Sequence, residues 1–331
     1  MQQFTSLPRR IQVEGRWLNI QGILGYGAFG VVHKVTDEAN PWKVFALKQV
    51  RCSDASQTDN AIREVRIMKQ LRHQNVILMF AADQMSDHQG LHMLIVTEYC
   101  EGGSLNARLS RPSFEETNYK WILQITEALA YLHSQQIPVV HRDLKADNVL
   151  LTATEDVKLA DFGLARHYVP LKESVQYGPY GSWMTHFLKY YMNSGVGPPH
   201  WVAPEFFRRR YTEKADVFSI GTLILGILQR DLIMFNGKPI YGAFVNIPQN
   251  TFGPFGGVVQ WVKVGIGYAM AKYNPNISIP LSLCPPLSNA LQEIALRSMQ
   301  YNEYDRPSAS EICYQVKSIP SRIQPQNLMP L

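Results

Sequence analysis

Apolar residues fall into two periods along this chain, and the period changes part-way along it. Val31-Val32-His33-Lys34-Val35 and Val44-Phe45-Ala46-Leu47-Lys48-Gln49-Val50 read as strands. Leu94-Ile95-Val96-Thr97-Glu98-Tyr99-Cys100 reads as a buried strand that runs out into Glu101-Gly102-Gly103. Between these strands Ile62, Val65, Met68 and Leu71 recur at helical spacing and predict an amphipathic helix that also carries Glu64. Further on, Ile122, Ile125, Leu129 and Leu132 recur at intervals of three, four and three, which predicts a long helix ending near His133. Ser113-x-x-Glu116 ahead of it predicts a capping box. Val149-Leu150-Leu151 and Val157-Lys158-Leu159-Ala160 predict two short strands joined as a hairpin. Asp216 opens a helix with Val217, Ile220, Ile224 and Ile227 that is apolar nearly all round, so it should be buried. From about Asp231 to Pro286 the Gly, Pro and aromatic content predicts a packed irregular insert, with a partner-binding surface as an option.

Composition narrows this picture. The 331 residues suffice for two domains, or for one domain of two lobes around a cleft. With 46% apolar and 18% charged residues the chain can build a full core, which excludes a disordered protein. The net charge of +5 is scattered, and its one basic run, Arg208-Arg209-Arg210, reads as a solvated turn; no nucleic-acid partner is demanded. Cys52, Cys100, Cys284 and Cys313 lack metal-like spacing and read as reduced thiols of a cytoplasmic or nuclear protein. No secretory signal is expected at the N-terminus. The stretches around Thr222–Leu228 and Val258–Met270 are too short or too broken to span a bilayer, so no membrane is expected as a partner.

The chemistry concentrates at the ends of the two short strands. Asp143 and Asp161 stand 18 residues apart with the carboxamide of Asn148 between them, and a hairpin would gather all three. Such a hard-oxygen set suits Mg²⁺, which keeps several waters and prefers a few protein ligands plus substrate phosphates. The stretch His141-Arg142-Asp143-Leu144-Lys145-Ala146-Asp147-Asn148, followed by Asp161-Phe162-Gly163, resembles the catalytic and metal-binding loops of the eukaryotic protein kinases.

The resemblance extends over about residues 16 to 317, with its motifs in the family order. Gly25-Tyr26-Gly27-Ala28-Phe29-Gly30-Val31-Val32 resembles the phosphate-covering loop; because Val31 to Val35 continue as a strand, a β-hairpin is expected there. The family fold is α+β and bilobal: a small β-rich N-lobe, here residues 1–100, and a larger helical C-lobe, residues 101–331, with the insert at about 231–286. The resemblance implies ATP as phosphoryl donor and Mg²⁺ as its metal. Lys48 would hold the α- and β-phosphates and pair with Glu64; Gly25, Gly27 and Gly30 would cover them; Val32, Ala46, Thr97 and Leu150 would line the ATP site. The backbone around Glu98 and Cys100 would bind adenine, and Ser104 would contact ribose. Asp143 would take the substrate hydroxyl proton, Lys145 would neutralise charge on the γ-phosphoryl, and Asn148 and Asp161 would hold the metal. Asp216 would anchor the catalytic loop, and Glu205 of Ala203-Pro204-Glu205 would pair with Arg306. Lysine two residues after the catalytic aspartate is the serine/threonine pattern. Arg142 ahead of Asp143 implies regulation by phosphorylation, with Ser174, Tyr177, Tyr180, Ser182, Thr185, Tyr190, Tyr191 and Ser194 as candidate acceptors.

Departures from the family pattern matter too. Asp161 to Glu205 spans 45 residues, longer than usual, and Gly197-Pro198-Pro199-His200 stands where the family carries Gly-Thr, whose threonine touches the catalytic aspartate. Tyr211–Asp216 and the region from Tyr241-Gly242 to Phe255-Gly256 look like the small kinase group named for binding a PDZ-LIM actin-associated protein. A kinase-fold scaffold that binds nucleotide and partner proteins is the rival reading, and a small-molecule kinase is a third. Loss of any of Lys48, Asp143, Asn148 or Asp161 would favour the scaffold; all four are present.

Overall fold

The computed structural model describes residues 7–26, 30–87, 90–167, 200–208, 212–235, 237–253, 256–282 and 286–319. The chain divides into two compact units, Met1–Arg108 with Tyr131–Pro199, and Leu109–Ala130 with His200–Leu331.

The first unit is built on a six-stranded antiparallel sheet. Its strands are β1 (Arg10–Val13), β2 (Arg16–Tyr26), β3 (Gly30–Asp37), β4 (Val44–Cys52), β5 (Met79–Asp87) and β6 (Gly90–Glu98), in the spatial order β1-β2-β3-β4-β6-β5. The β1–β2 connection is the two-residue turn Glu14-Gly15 with both φ positive, at 45° and 78°, the conformation a tight hairpin needs and glycine tolerates. Glu14 then ties β1 to β5, its amide donating to Asp83 Oδ2 at 3.0 Å and its Oε1 accepting from the Ala82 amide at 3.2 Å.

Alternation decides what each face of this sheet does. Val35, Phe45, Leu47, Leu94 and Val96 point to one side and form a core with Ile11, Val13 and Leu18. The opposite side carries Val32, Ala46, Lys48 and Thr97, because Val32 pairs with Lys48 and Ala46 with Thr97. Helix α1 (Ala55–Gln70) starts at Asp54, whose side chain accepts from the Gln57 amide, and buries Ala61, Glu64, Val65, Ile67 and Met68. Past the sheet come β7 (Gly103–Ser104), the short helix α2 (Leu105–Arg108), β8 (Val139–Val140), β9 (Val149–Leu151), β10 (Val157–Leu159) and β11 (Arg166–His167). The expected hairpin exists: β9 pairs with β10 antiparallel, Leu150 opposite Lys158.

The second unit is helical at its centre. It takes most of α3 (Glu115–His133), then α4 (Glu213–Gln229), α5 (Ile266–Lys272), α6 (Pro286–Ser298) and α7 (Ala309–Ser318). Helix α4 is buried from Ala215 to Ile227, as its apolar pattern predicts, and Asp216 is fully buried in its first turn. A Cβ at Gly221 would come within 2.6 Å of Met299 Cγ and 2.8 Å of the Ala295 carbonyl oxygen, so glycine there lets α4 and the end of α6 touch.

Two expectations are corrected here. The Ser113 hydroxyl does not cap α3; it donates to Asn118 Oδ1 at 2.6 Å and accepts from Arg230. Arg230 reaches back because its backbone turns left-handed, at φ 56°, just past α4. A capping box does form at α7, where Ser308 and Glu311 serve each other. The insert, read as irregular, is two successive β-hairpins: β12 (Leu232–Phe235) with β13 (Lys238–Tyr241), and a ribbon of ten-residue strands, β14 (Phe244–Gly253) with β15 (Gly256–Gly265). The glycines and proline in these strands hid the strand period; Gly237, at φ 73°, sits in the first turn.

Candidate active site

Lys48 projects from the middle of β4 with its ammonium between two carboxylates. It donates to Glu64 Oε1 at 2.7 Å and to Asp161 Oδ1 at 2.8 Å. Helix α1 supplies Glu64, which is 3% exposed; the loop after β10 supplies Asp161. Burial pulls the Lys48 ammonium down, but the charges of Asp161 and Glu64 outweigh it and hold the group above its ordinary range. Burial pushes Asp161 up, yet the adjacent Lys48 charge and hydrogen bond, with Lys145 and His141 behind them, bring it down to about 2. Glu64 goes the other way: burial raises its carboxyl more than Lys48 lowers it. The backbone at Asp161 has φ 61° and at Arg142 φ 71°, positions that cost a non-glycine residue about 1–3 kcal/mol each and cluster at functional sites.

The second group sits on the loop between β8 and β9. Asp143 is 3% exposed, and its Oδ2 accepts from Lys145 Nζ at 2.8 Å and from Asn148 Nδ2 at 2.9 Å. Asn148 stands in a turn of 3₁₀ helix (Ala146–Asn148), and its Nδ2 also donates to the Asp143 carbonyl at 2.7 Å. His141 locks the loop to the strand pair: Nε2 donates to the Ala160 carbonyl at 3.0 Å, while Nδ1 accepts the Asp143 amide at 3.3 Å. Phe162 meets the His141 ring edge-on at 5.1 Å. No period in the sequence signals this histidine's part; only its place beside Asp143 does.

The remaining candidates are placed as follows. Val32, Ala46, Lys48 and Thr97 share one face of the sheet, and Leu150 lies opposite Ser104 across β7 and β9. The Glu98 amide is already bonded to the Leu78 carbonyl at 3.0 Å. Its side chain is structural as well, accepting from the Leu78 amide at 2.7 Å and pairing with Lys158 at 2.9 Å. Cys100 accepts the Gly103 amide at its carbonyl, and its own amide has no partner among the described residues. Burial, with Glu98 adding to it, pushes the Cys100 thiol up to about 12, so it is no nucleophile. Gly25 has nothing within 4 Å of where a Cβ would stand. Gly30 is glycine for another reason: a Cβ there would fall 1.9 Å from the Gln49 carbonyl oxygen on β4. Gly27 lies outside the described residues.

The donor set passes a test for a small hard cation. Asp161 Oδ2 and Asn148 Oδ1 accept no hydrogen bond from the described residues, since Lys48 takes Oδ1 of the first and Asp143 occupies Nδ2 of the second. Among the described residues no cluster of three or more His, Cys, Asp and Glu could hold a metal alone. Two protein oxygens completed by substrate oxygens and water is the Mg²⁺ pattern.

Residues 18–316 match the protein kinase domain family. The chain belongs to that family. Its mixed α+β fold is the kinase fold, with a β-sheet N-lobe and a helical C-lobe. This kinase domain is 34% identical over 247 residues to the serine/threonine-protein kinase CTR1 of Arabidopsis thaliana, an alignment covering 70% of this chain and 27% of CTR1. It is 31% identical over 220 residues to the serine/threonine-protein kinase WNK8 of the same plant, covering 64% and 35%. The probable serine/threonine-protein kinase nek2 of Dictyostelium discoideum is 31% identical over 215 residues, covering 62% and 46%. The kinase domain thus spans less than half the length of these relatives.

Missed by the sequence reading is a cluster of arginines. Arg63 stands on α1 one residue before Glu64, and Arg166 opens β11; both bond Asn60 Oδ1, at 3.1 and 2.7 Å. Burial, then the charges of Arg63 and Arg142, push the Arg166 guanidinium down to about 9.

Proposed function

We propose that this kinase domain transfers the γ-phosphoryl of ATP to serine or threonine hydroxyls of a protein substrate. The observation that carries the reading is Lys48 held between Glu64 and Asp161, with Asp143 fixed by Lys145 and Asn148 in the same unit. Phosphoryl transfer needs positioning and charge stabilisation more than covalent help. Asp161 Oδ2 and Asn148 Oδ1, left without donors among the described residues, are the oxygens open to a divalent cation and its nucleotide. Asp161 and Asn148 would hold Mg²⁺, which when bound neutralises the phosphate oxygens. Lys48 holds the α- and β-phosphates, kept in place by Glu64. Asp143 orients the substrate hydroxyl and accepts its proton, its Oδ2 fixed from two sides. Lys145 stands beside it to neutralise charge on the transferred group, and the serine/threonine reading rests on this lysine and on the relatives' kinship.

The arginine cluster supports regulation by phosphorylation. Three guanidiniums that repel one another would welcome a phosphate, which pairs with arginine bidentately. The candidate acceptors from Ser174 to Ser194 lie outside the described residues. Phosphatase treatment of active protein should lower its rate; an unchanged rate removes this part. A PDZ-LIM actin-associated partner has sequence resemblance alone behind it and is not part of this reading.

The test is phosphate transfer from labelled ATP to generic protein substrates with Mg²⁺, wild type against Asp143→Asn. Label on serine or threonine with wild type only supports the reading. Equal silence of both, with ATP still bound, would leave a nucleotide-binding scaffold.

A further inference from the structure

Helix α1 and the loop after β10 reach Lys48 from distant parts of the chain, and one side chain joins the two. Asn60 stands four residues before Glu64 on α1, so the two are neighbours one turn apart on the helix surface. Its Oδ1 accepts from Arg166 Nη2 at 2.7 Å and from Arg63 Nη1 at 3.1 Å. Arg166 follows Asp161 by five residues and opens β11, where it pairs with Val140 of β8, immediately ahead of His141. The contacts therefore close a ring. Lys48 bonds Glu64, a turn of α1 leads back to Asn60, and Asn60 bonds Arg166. From Arg166 the chain returns to Asp161, which bonds Lys48.

Asn60 is a poor choice for the helix itself. Asparagine is a weak helix former, because its side chain competes for backbone hydrogen bonds, and alanine would serve this interior position better. Its oxygen is committed to two guanidiniums instead. Arg63, three residues on, steadies the carboxamide from within α1, and the Arg166 bond crosses to β11. An aspartate would accept the same bonds and cancel a charge; the amide holds both guanidiniums and leaves them charged. The Arg166 charge also acts on Glu64, drawing its carboxyl down against the effect of burial.

We infer that Asn60 is a positioning residue of the nucleotide site: bonded to Arg166, its Oδ1 latches α1 to β11 and so holds Glu64 against Lys48. This rests on the reading of that site as an ATP site and deepens it. Hydrogen bonds from a guanidinium are of the stronger, charge-assisted kind, which suits a latch between two elements. Without it α1 still forms, but Glu64 meets Lys48 for a smaller fraction of the time. The apparent affinity for nucleotide then falls by that fraction.

The experiment titrates the full chain with MgATP and follows transfer to casein, histone or myelin basic protein, whichever the wild type phosphorylates. For Asn60→Ala the Kd and the KM for ATP should rise about fivefold, while the KM for the protein stays within about twofold. Asn60→Asp, which keeps the acceptor oxygen, should restore the wild-type values. In a Glu64→Ala background Asn60→Ala should add nothing, because the latch acts through Glu64; a merely structural contact would cost the same in both backgrounds. Arg166→Met removes the latch from the β11 side and carries the same cycle if Asn60→Ala does not fold. Wild-type ATP affinity in Asn60→Ala, or an equal loss in the two backgrounds, overturns the inference and leaves phosphotransfer standing. A wild type that binds MgATP but phosphorylates none of the three proteins brings down the phosphotransfer reading, and the Kd values still decide the latch. A wild type that binds no MgATP brings down both.

Discussion

Two buried ion clusters of this kinase domain, one in each unit, are built to opposite specifications. Arg306 and Glu205 form a closed pair: Nη1 meets Oε1 at 2.6 Å and Nη2 meets Oε2 at 2.8 Å. The other three N–H groups of Arg306 go to the carbonyls of Gln300, Lys214 and Tyr301. Its side chain is 0% exposed and that of Glu205 is 7% exposed. Charge balances and every donor is used. At Lys48 one ammonium serves two carboxylates, and the Asp161 side chain is 29% exposed with an oxygen to spare. A pair with nothing left over can only hold structure; a cluster with an unspent oxygen is ready for a ligand. Leftover valence, rather than burial or proximity, separates the two.

The comparison breaks hardest at Arg306. Replacing it by methionine strands Glu205 as a buried charge, so Arg306→Met should cost about 3–5 kcal/mol of folding stability. The rate of molecules that remain folded should change little, as read by urea unfolding beside active-site-normalised kcat. Asp161→Asn should do the reverse. It should lower kcat by about a hundred- to a thousandfold, the usual cost of removing one group that stabilises developing charge, without comparable loss of stability. MgATP should raise the thermal midpoint of wild type and not of Asp161→Asn. If Arg306→Met proves harmless to stability, or Asp161→Asn unfolds the protein, leftover valence is the wrong criterion.

How far the sequence disclosed this architecture depended on the range of the interaction. The strand of Lys48 and the helix of Glu64 were legible from their periods, but their pairing, sixteen residues apart, came from the family resemblance. The Glu205–Arg306 pair, 101 residues apart, came from the same resemblance, since no local pattern encodes so distant a contact. The ribbon was missed because glycine and proline in its strands disguise the period of two. The failed capping box shows a different limit. Ser113 has the right spacing, but Arg230 and Asn118 compete for its hydroxyl, and Arg230 is 117 residues away. Gly30 shows that a motif residue can serve a second master: strand packing requires that glycine whatever the loop binds.

Glu64→Gln gives a finer cut. Lys48 would exchange a charge-assisted hydrogen bond for a neutral one, and the KM for ATP should rise about tenfold. Stability should rise slightly, because burial already works against the charge on Glu64, whose carboxyl is raised. A stability loss as large as that of Arg306→Met would mean that the Lys48 cluster is structural after all.

The smallest effects appear in acid, in two separate windows. His200 is pushed by burial to about 4 from an ordinary 6.5. Its neutral ring favours the folded state fully above pH 6.5, and that contribution is lost as pH falls from 6.5 through 4. Asp161 sits at about 2 against an ordinary 3.8. Its ionised form stabilises the fold above pH 3.8, and this is lost as pH falls from 3.8 through 2. Glu64 has the opposite sign: with its pKa raised above 4.5, the proton it retains in the folded state adds stability as pH falls towards 4.5. Urea midpoints measured from pH 7 to pH 2 should therefore lose slope between 6.5 and 4 in His200→Phe, and below 3.8 in Asp161→Asn. Each variant should leave the other's window intact, because burial alone shifts His200 while Lys48, Lys145 and His141 act on Asp161. An Asp161→Asn profile parallel to wild type below pH 3.8 would show that Lys48 does not hold that carboxylate ionised, and the open cluster would lose the charge that makes it a site.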